Sequence, residues 1–438
     1  MKEIKYTTLS SVLNKIKDGD YIVFAMGAAE PQEFSKRLHE IAPRINRVTV
    51  SNCLPIQNSL FFTDPQYKTK FQVDGWYYSP AMRKAAEQGN ISYIPNHFHL
   101  AAKKRFDTHK LDVFVGVCTP PDKHGYVSLS VSNAFEQHAI SIAKTVIMEV
   151  NPNFPRAFGD VEVHFSKIDY FVKVDYEVPI MPKAEITEKD RIIGNLIASQ
   201  IKDGSCIQLG IGGMPDAVAD ALMTKKDLGL HTEMFTTGAM KLIKAGVITG
   251  AKKQLYPNKH VASFAMGTKE LYDFIDNNPS CWMLSGFFVN NPNNIAMNDN
   301  QVSINACLEI DLSGQCCSES IGFKHFSGTG GQSDTATGAQ KSKNGVSYIA
   351  LYSTAMIKDP LTGERVEVSK IVPILKPGAA VTLSRNDVDR VVTEYGLVNL
   401  RGTSIEERTK LLISIAHPKF RQELTKEAIA MGYIVDWK

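Results

Sequence analysis

One glutamate and two clusters of glycine carry most of the chemistry this sequence offers. Glu233 stands in Leu228-Gly-Leu-His-Thr-Glu-Met-Phe235, soon after the stretch Gly210-Ile-Gly-Gly-Met-Pro215. Three glycines within four positions let backbone N–H groups approach a ligand unobstructed, so that stretch reads as an anion or oxyanion site. A carboxylate near such a loop points to attack on a carbonyl whose oxygen becomes negative, with the loop as its trap. Acyl transfer is the leading reading. The plainer alternatives are a tight strand-to-helix turn for the glycines and a solvated charge for the glutamate.

Leu228, Leu230, Thr232 and Met234 alternate with Gly229, His231, Glu233 and Phe235. That is the period of a strand with one buried face, whose end presents His231 and Glu233. A glutamate of ordinary pKa, about 4.3, is ionised at neutral pH and attacks a thioester without a general base. The glycine loop departs from the dinucleotide fingerprint. Pro215 stands where a third glycine belongs, and no acidic partner for a ribose ends the second strand. The second cluster is Phe326-Ser-Gly-Thr-Gly-Gly-Gln-Ser-Asp334. It reads either as a surface loop or as a path for a pantetheine arm past Gly330 and Gly331, with a second oxyanion donor.

These residues need a scaffold, and an internal repeat locates it. Ile16-Lys-Asp-Gly19 returns as Ile201-Lys-Asp-Gly204, 185 positions on (201 − 16). Each copy follows a helical pattern and precedes an apolar run that ends in a Gly-to-Pro loop. Val12, Leu13 and Ile16 form the stripe of the first helix, and Ile193, Leu196, Ile197 and Ile201 that of the second. Gly19 and Gly204 are expected at the left-handed position that ends a helix. Strands are expected over Tyr21–Met26 and Cys206–Leu209. The loops Gly27-Ala-Ala-Glu-Pro31 and Gly210–Pro215 follow, with proline opening the next helix. A further match sets Val113–Cys118 and Asp122-Lys-His-Gly125 against Ile304–Ile310 and Asp311-Leu-Ser-Gly314, 189 positions apart (311 − 122).

Such Asp-x-x-Gly turns also recur without common origin, yet three anchors at nearly constant offset argue for two related halves. The segment Glu177-Val-Pro-Ile-Met-Pro-Lys-Ala184 precedes Thr187-Glu-Lys-Asp190, a helix start. The boundary is therefore placed there, giving an N-terminal α/β domain over residues 1–184 and a C-terminal α/β domain over 185–438 that carries Glu233. Strands alternating with helical patterns predict open α/β sheets, with ligands beyond the carboxyl ends of the strands, where both Gly-to-Pro loops fall.

A chain of 438 residues exceeds the size of one core, which agrees with two domains. A hydrophobic share of 43% and a charged share of 22% are those of an ordinary globular protein and exclude fibrous and disordered classes. The net charge of +3 gives no argument for nucleic acid and none against a small anionic ligand. No run approaches the roughly 18 apolar residues of a membrane span, and Met1-Lys-Glu-Ile-Lys-Tyr6 lacks the apolar core of a secretory signal. A soluble, cytoplasmic protein is expected. Seven cysteines without a C-x-x-C pair point to reduced thiols, with neither disulfides nor zinc.

The three stretches around Glu233, Gly210 and Gly331 together resemble the acetyl-CoA hydrolase/transferase group of class I CoA-transferases. The nearest likeness is to its 4-hydroxybutyrate and butyryl-CoA:acetate CoA-transferases. The likeness covers nearly the whole chain. It includes Phe71-Gln-Val-Asp-Gly-Trp-Tyr-Tyr-Ser-Pro80, Ile304-Asn-Ala-Cys-Leu-Glu-Ile-Asp311, Ser384-Arg-Asn-Asp-Val-Asp-Arg-Val-Val-Thr-Glu-Tyr-Gly396, and the ending from Arg401-Gly402 to Ala416-His-Pro418.

The resemblance implies two related open α/β domains of the CoA-transferase type with the active site between them. It implies that Glu233 forms a mixed anhydride with the acyl group, becomes a glutamyl-CoA thioester, and passes CoA to an incoming carboxylate such as acetate. Gln208, Leu209, Gly210, Ile211 and Gly212 fall at the family's CoA-binding strand end, and Leu308 and Gly331 at other positions that touch CoA. Asn305 matches an asparagine near the reacting acyl group. Coenzyme A is then substrate and covalent intermediate, with no tightly bound cofactor and no metal. The remote nucleotide end of CoA would anchor the thioester at Glu233, and the pocket must exclude water from the anhydride. The first half, with Gly27 to Pro31 and Trp76 to Pro80, is expected to close over the site.

Weaker signals complete the reading. His97-Phe-His99 has ligand-like spacing on an expected strand, but no carboxylate or cysteine accompanies it, so a packing role is preferred. Lys252-Lys253 could meet CoA phosphates or stand as a solvated pair. Trp76, Tyr77 and Tyr78 are read as lining an acyl pocket from a turn bracketed by Gly75 and Pro80, with core filling as the alternative. Two rivals remain: a hydrolase using the same site with water, and a nucleotide-binding oxidoreductase or ligand module using the Gly210 loop. The acyl group is not selected, because one methylene is worth only ~1 to 3 kcal/mol. A homodimer or higher closed oligomer is the base-rate expectation.

Overall fold

Runs such as Tyr21-Ile-Val-Phe24 and Val113-Phe-Val-Gly-Val-Cys118 form strands buried throughout, as a parallel sheet covered on both faces requires. A computed structural model describes residues 4–359 and 362–435. By packing, the chain divides into two units. The first takes in the chain up to Lys183 together with His231–Met240 and Lys259–Asn291. The second takes Ala184–Leu230, Lys241–Asn258 and the chain from Pro292 onward.

The first unit holds an eight-stranded sheet. Its strands are β1 (Tyr6–Thr7), β2 (Tyr21–Phe24), β3 (Val48–Cys53), β4 (Phe71–Tyr77), β5 (Ile91–Tyr93), β6 (Val113–Cys118), β7 (Thr145–Val150) and β8 (Tyr170–Lys173). They lie in the order β1-β8-β7-β6-β2-β3-β4-β5, every pair parallel. Phe24, Phe34, Phe61 and Phe71 meet edge to face in its core.

The later strands are β9 (Cys206–Gln208), β10 (Gly229–Phe235), β11 (His260–Ala265), β12 (Cys281–Met283), β13 (Gln301–Ala306), β14 (Val346–Ala350), β15 (Arg390–Thr393) and β16 (Gly396–Asn399). In the second unit β9 lies between β13 and the start of β10. Outward from β13 come β14, β15 and the antiparallel β16. In the first unit the rest of β10, from His231, pairs in parallel with β11, and β11 with β12.

The order β6-β2-β3-β4-β5 thus returns as β13-β9-β10-β11-β12. The two Asp-x-x-Gly turns match atom for atom. Asp122 Oδ1 accepts from the amides of His124 and Tyr126, and Asp311 Oδ1 from those of Ser313 and Gln315, all at 2.8 to 3.0 Å. Gly125 and Gly314 turn the chain with φ of 86° and 95°.

Helix α1 (Glu188–Gln200) begins at its expected cap. The Thr187 side chain accepts from the Asp190 amide while Asp190 reaches back to the Thr187 amide. Several boundaries differ from expectation. The first-half helix covers only Leu9–Leu13 and stops before Ile16, so Gly19 and Gly204, although left-handed, sit in turns beyond the helix ends. The strand expected over Ile304–Ile310 breaks at Cys307 and Leu308, leaving β13 and the short Glu309–Asp311. Helix α2 (Gly213–Ala221) starts ahead of Pro215, because Gly212, with φ of 114°, turns the chain first. Gly27–Ala29 is a buried single turn, not an open loop.

Candidate active site

The expected single buried face is not what β10 shows: residues 229–232, His231 included, are buried on both faces, and Glu233 and Met234 are half-buried near the strand's carboxyl end. Glu233 Oε2 accepts a hydrogen bond from Asn290 Nδ2 at 2.6 Å. Asn290 is 1% exposed and closes the short helix α3 (Gly286–Val289), donating its amide N–H to the Gly286 carbonyl. Two positions earlier on β10, His231 Nε2 lies 2.8 Å from the Val289 carbonyl; the carbonyl only accepts, so Nε2 carries the proton. His231 and Glu233, on one face of a strand, therefore grip the consecutive residues Val289 and Asn290. Ser263 on β11 donates to the Glu233 backbone carbonyl at 2.7 Å.

Cys53 ends β3, the first-half counterpart of β10. The registers Tyr21↔Thr49 and Cys206↔Gly229 align the two strands. Four residues on from each partner come Cys53 and Glu233, so the thiol holds the place in the first half that the carboxylate holds in the second. Burial pushes the Cys53 thiol well above its ordinary pKa, and the negative charges of Glu233 and Glu136 push it further.

In the second unit Gln208, Asn305 and Gly331 come together. Gln208 Oε1 accepts from the Ile304 amide (3.0 Å) and the Ser303 hydroxyl (3.3 Å). Asn305 Nδ2 donates to Ser303 Oγ (2.9 Å) and Thr335 Oγ1 (3.0 Å). Thr335 lies in helix α4 (Gln332–Lys341), and its amide donates to the carbonyl of Gly331, the residue that caps that helix. One buried network thus joins the ends of β9 and β13 to the start of α4. Leu209 is buried, Gly210 and Gly212 are half-buried, and Ile211 is exposed. Leu308 stands outside the network, half-buried, its amide bonded to the Cys317 carbonyl. Asn290, Ser263, Ser303 and Thr335 escaped the sequence reading. The asparagine run Asn290-Asn-Pro-Asn-Asn294 after Phe287-Phe-Val289 was the one signal for the first of them.

Three weaker expectations change. Trp76 and Tyr78 are buried, with Trp76 packed on Phe106 and Phe135, because Gly75 lies inside β4 and not in a turn. His97 caps a single turn at Phe98–Leu100 and His99 lies within it, their rings stacked, so they do not share a strand face. Lys253 is buried, its ammonium donating to the Leu230 carbonyl at 2.9 Å, and loss of hydration lowers its pKa to about 8. Among the described residues no group of three or more His, Cys, Asp or Glu is arranged to hold a metal ion, and no helix is long and apolar enough to cross a membrane. All seven cysteines are free and buried.

The chain matches the acetyl-CoA hydrolase/transferase N-terminal domain over residues 3–182 and the C-terminal domain of the same family over residues 267–428. It belongs to the acetyl-CoA hydrolase/transferase family, as a CoA-transferase. A 4-hydroxybutyrate coenzyme A transferase of Clostridium kluyveri is 42% identical over 427 residues, 97% of each chain. A succinyl-CoA:cyclohexane-1-carboxylate CoA transferase of Geobacter metallireducens is 40% identical over 419 residues, 96% of this chain and 94% of that one. The crystal structure of RipA from Yersinia pestis superimposes with a TM-score of 0.89 over 98% of each chain, at 34% identity.

Proposed function

We propose that the enzyme moves CoA from a short-chain acyl-CoA, butyryl-CoA or 4-hydroxybutyryl-CoA, to acetate through covalent intermediates on Glu233. A carboxylate oxygen attacks the thioester carbonyl, the C–S bond breaks, and CoA leaves as a thiolate from an acyl-glutamyl anhydride. The thiolate then attacks the glutamyl carbonyl and releases the acid, leaving a glutamyl-CoA thioester. Acetate attacks that thioester, and the same steps in reverse give acetyl-CoA and free Glu233. Charge gathers on a glutamyl oxygen whenever the glutamyl carbonyl is attacked, and the Asn290 amide is the donor for it.

Gln208, Leu209, Gly210, Ile211, Gly212, Leu308 and Gly331 are assigned to CoA, and Asn305 to the neighbourhood of the acyl group. The reading includes a cytoplasmic homodimer, which gel filtration would check. The choice of 4-hydroxybutyryl draws on the Clostridium kluyveri relative, and that of butyryl on the sequence resemblance.

The observation that carries the reading is the carboxylate of Glu233, held at 2.6 Å by Asn290 at a strand's carboxyl end, in a chain of this family. Incubation with butyryl-CoA and borohydride trapping, followed by mass spectrometry, should modify the peptide bearing Glu233, and Glu233→Ala should abolish the label. An unmodified peptide from active enzyme would refute the mechanism. CoA release that is fast and indifferent to acetate would instead assign hydrolysis.

A further inference from the structure

The side chain of Asn290 is held at one end only. Its Nδ2 donates to Glu233 Oε2, while Oδ1, buried with the rest of the residue, meets no donor among the described residues. An amide with both ends bonded is fixed by its own partners, whereas this one takes its place from the backbone that carries it. That backbone is the end of α3, four residues long and too short to keep its shape unaided.

The helix is fixed from outside at both ends. At its start the Gly286 amide donates to the Asn133 carbonyl at 3.0 Å and to the Ala134 carbonyl at 3.2 Å. A Cβ on Gly286 would lie 2.7 Å from the second of these oxygens, so the approach leaves no slack. At its other end His231 Nε2 donates to the Val289 carbonyl, one residue before Asn290. His231 is 1% exposed and stands two positions before Glu233, on the same face of β10. Ser263 holds the Glu233 backbone carbonyl from β11. One strand, itself held from its neighbour, thus carries both the carboxylate and the group that steadies the donor facing it.

We propose that His231 is a positioning residue for CoA transfer, acting through the Val289 carbonyl to keep the Asn290 amide aimed at the Glu233 oxygen. That role rests on the reading of Glu233 as nucleophile and Asn290 as its donor. While the carboxylate is free, its charge strengthens the bond from Asn290. In the proposed covalent intermediates that charge is gone, and the strut from His231 keeps the amide in place for the next attack on the glutamyl carbonyl. Nε2 carries its proton in the neutral tautomer seen here and in the imidazolium alike, so the strut does not depend on the charge of the ring.

His231→Leu removes the donor and should lower kcat and kcat/KM together, roughly tenfold to a hundredfold, for transfer from butyryl-CoA to acetate. His231→Gln, whose Nε2 reaches about as far as that of histidine, should restore most of the loss. Coupling separates positioning from a merely structural role. In an Asn290→Ala background His231→Leu should lower kcat no further, because the group it positions is gone. Equal losses in the two backgrounds, or full kcat in His231→Leu, overturn the proposal. Urea unfolding shows whether each variant is folded in the assay. Should His231→Leu fail to fold, His231→Asn, whose amide stops short of Val289, takes its place against His231→Gln. If the wild-type enzyme transfers no CoA, or Asn290→Ala keeps its full kcat, the reading of the reaction fails on its own account. The crystal structure of the His231 variant then decides the strut: Asn290 Nδ2 displaced from Glu233 Oε2 upholds it, and the two atoms still at hydrogen-bond distance overturn it.

Discussion

Asn290 Nδ2 and Glu233 Oε2 lie 2.6 Å apart, and the short helix that ends at Asn290 is gripped from the same strand by His231. In the proposed mechanism charge gathers on the glutamyl oxygen, and a buried amide that already faces it needs no reorganisation during attack. Asn290→Ala should therefore lower kcat by ~10²- to 10³-fold. Asn290→Asp should do no better, since it sets one carboxylate against another. Steady-state transfer assays, with mass spectrometry of the Glu233 peptide, check both.

Thr335 ties Asn305 and Ser303 to helix α4. Thr335→Val keeps the shape and removes the hydroxyl, whose oxygen is the shared partner of Asn305 Nδ2 and Ser303 Oγ. The expected loss of stability is about 1 to 3 kcal/mol, read from urea unfolding, together with weaker CoA binding.

Glu149 is buried at the end of β7, where it accepts from the Phe34 amide and the Tyr176 hydroxyl at 2.6 Å each. Burial raises its pKa to about 7, and that of Glu30 to about 6. A carboxyl whose folded pKa exceeds its unfolded value favours the fold when protonated. Its destabilisation is complete above the folded pKa and is relieved as pH falls from about 7 toward 4.5. Glu149→Gln should flatten the rise in melting temperature between pH 8 and pH 6, as thermal denaturation across that range would show. A wild-type slope retained in the variant would exclude Glu149 as its source.

Gly229 lets the stem of Lys253 cross β10, for a Cβ at that position would lie 2.4 Å from Lys253 Cγ. Gly229→Ala should destabilise by about 1 to 3 kcal/mol through overpacking. In a Lys253→Ala background the same change should cost less. The coupling energy from a double-mutant cycle in urea measures the clash directly.

Local rules were legible in the sequence because they need only neighbours in the chain. Thr187 and Asp190 announced a helix start three residues apart, and the Asp-x-x-Gly turns formed with the same amide donors in both halves. Glu233 stood out because strand alternation set it near a strand end beside a glycine loop. Asn290 did not, since it lies 57 positions from its partner (290 − 233) and only the packing of α3 against β10 brings them together.

Burial was the harder matter. Lys253 and Trp76 looked like surface and pocket groups, yet both are interior, one because Gly229 opens room across a strand and the other because Gly75 lies within a strand. Sequence by itself determined the repeat, the Thr187 cap and the Asp-x-x-Gly turns, all fixed by dihedral preference and short spacing. Tertiary structure alone decided which donor holds the Glu233 carboxylate, which lysine loses its hydration and which thiol stands in the matching place. Those outcomes depend on the sheet register and on the side chains that several distant strands and helices bring to one point.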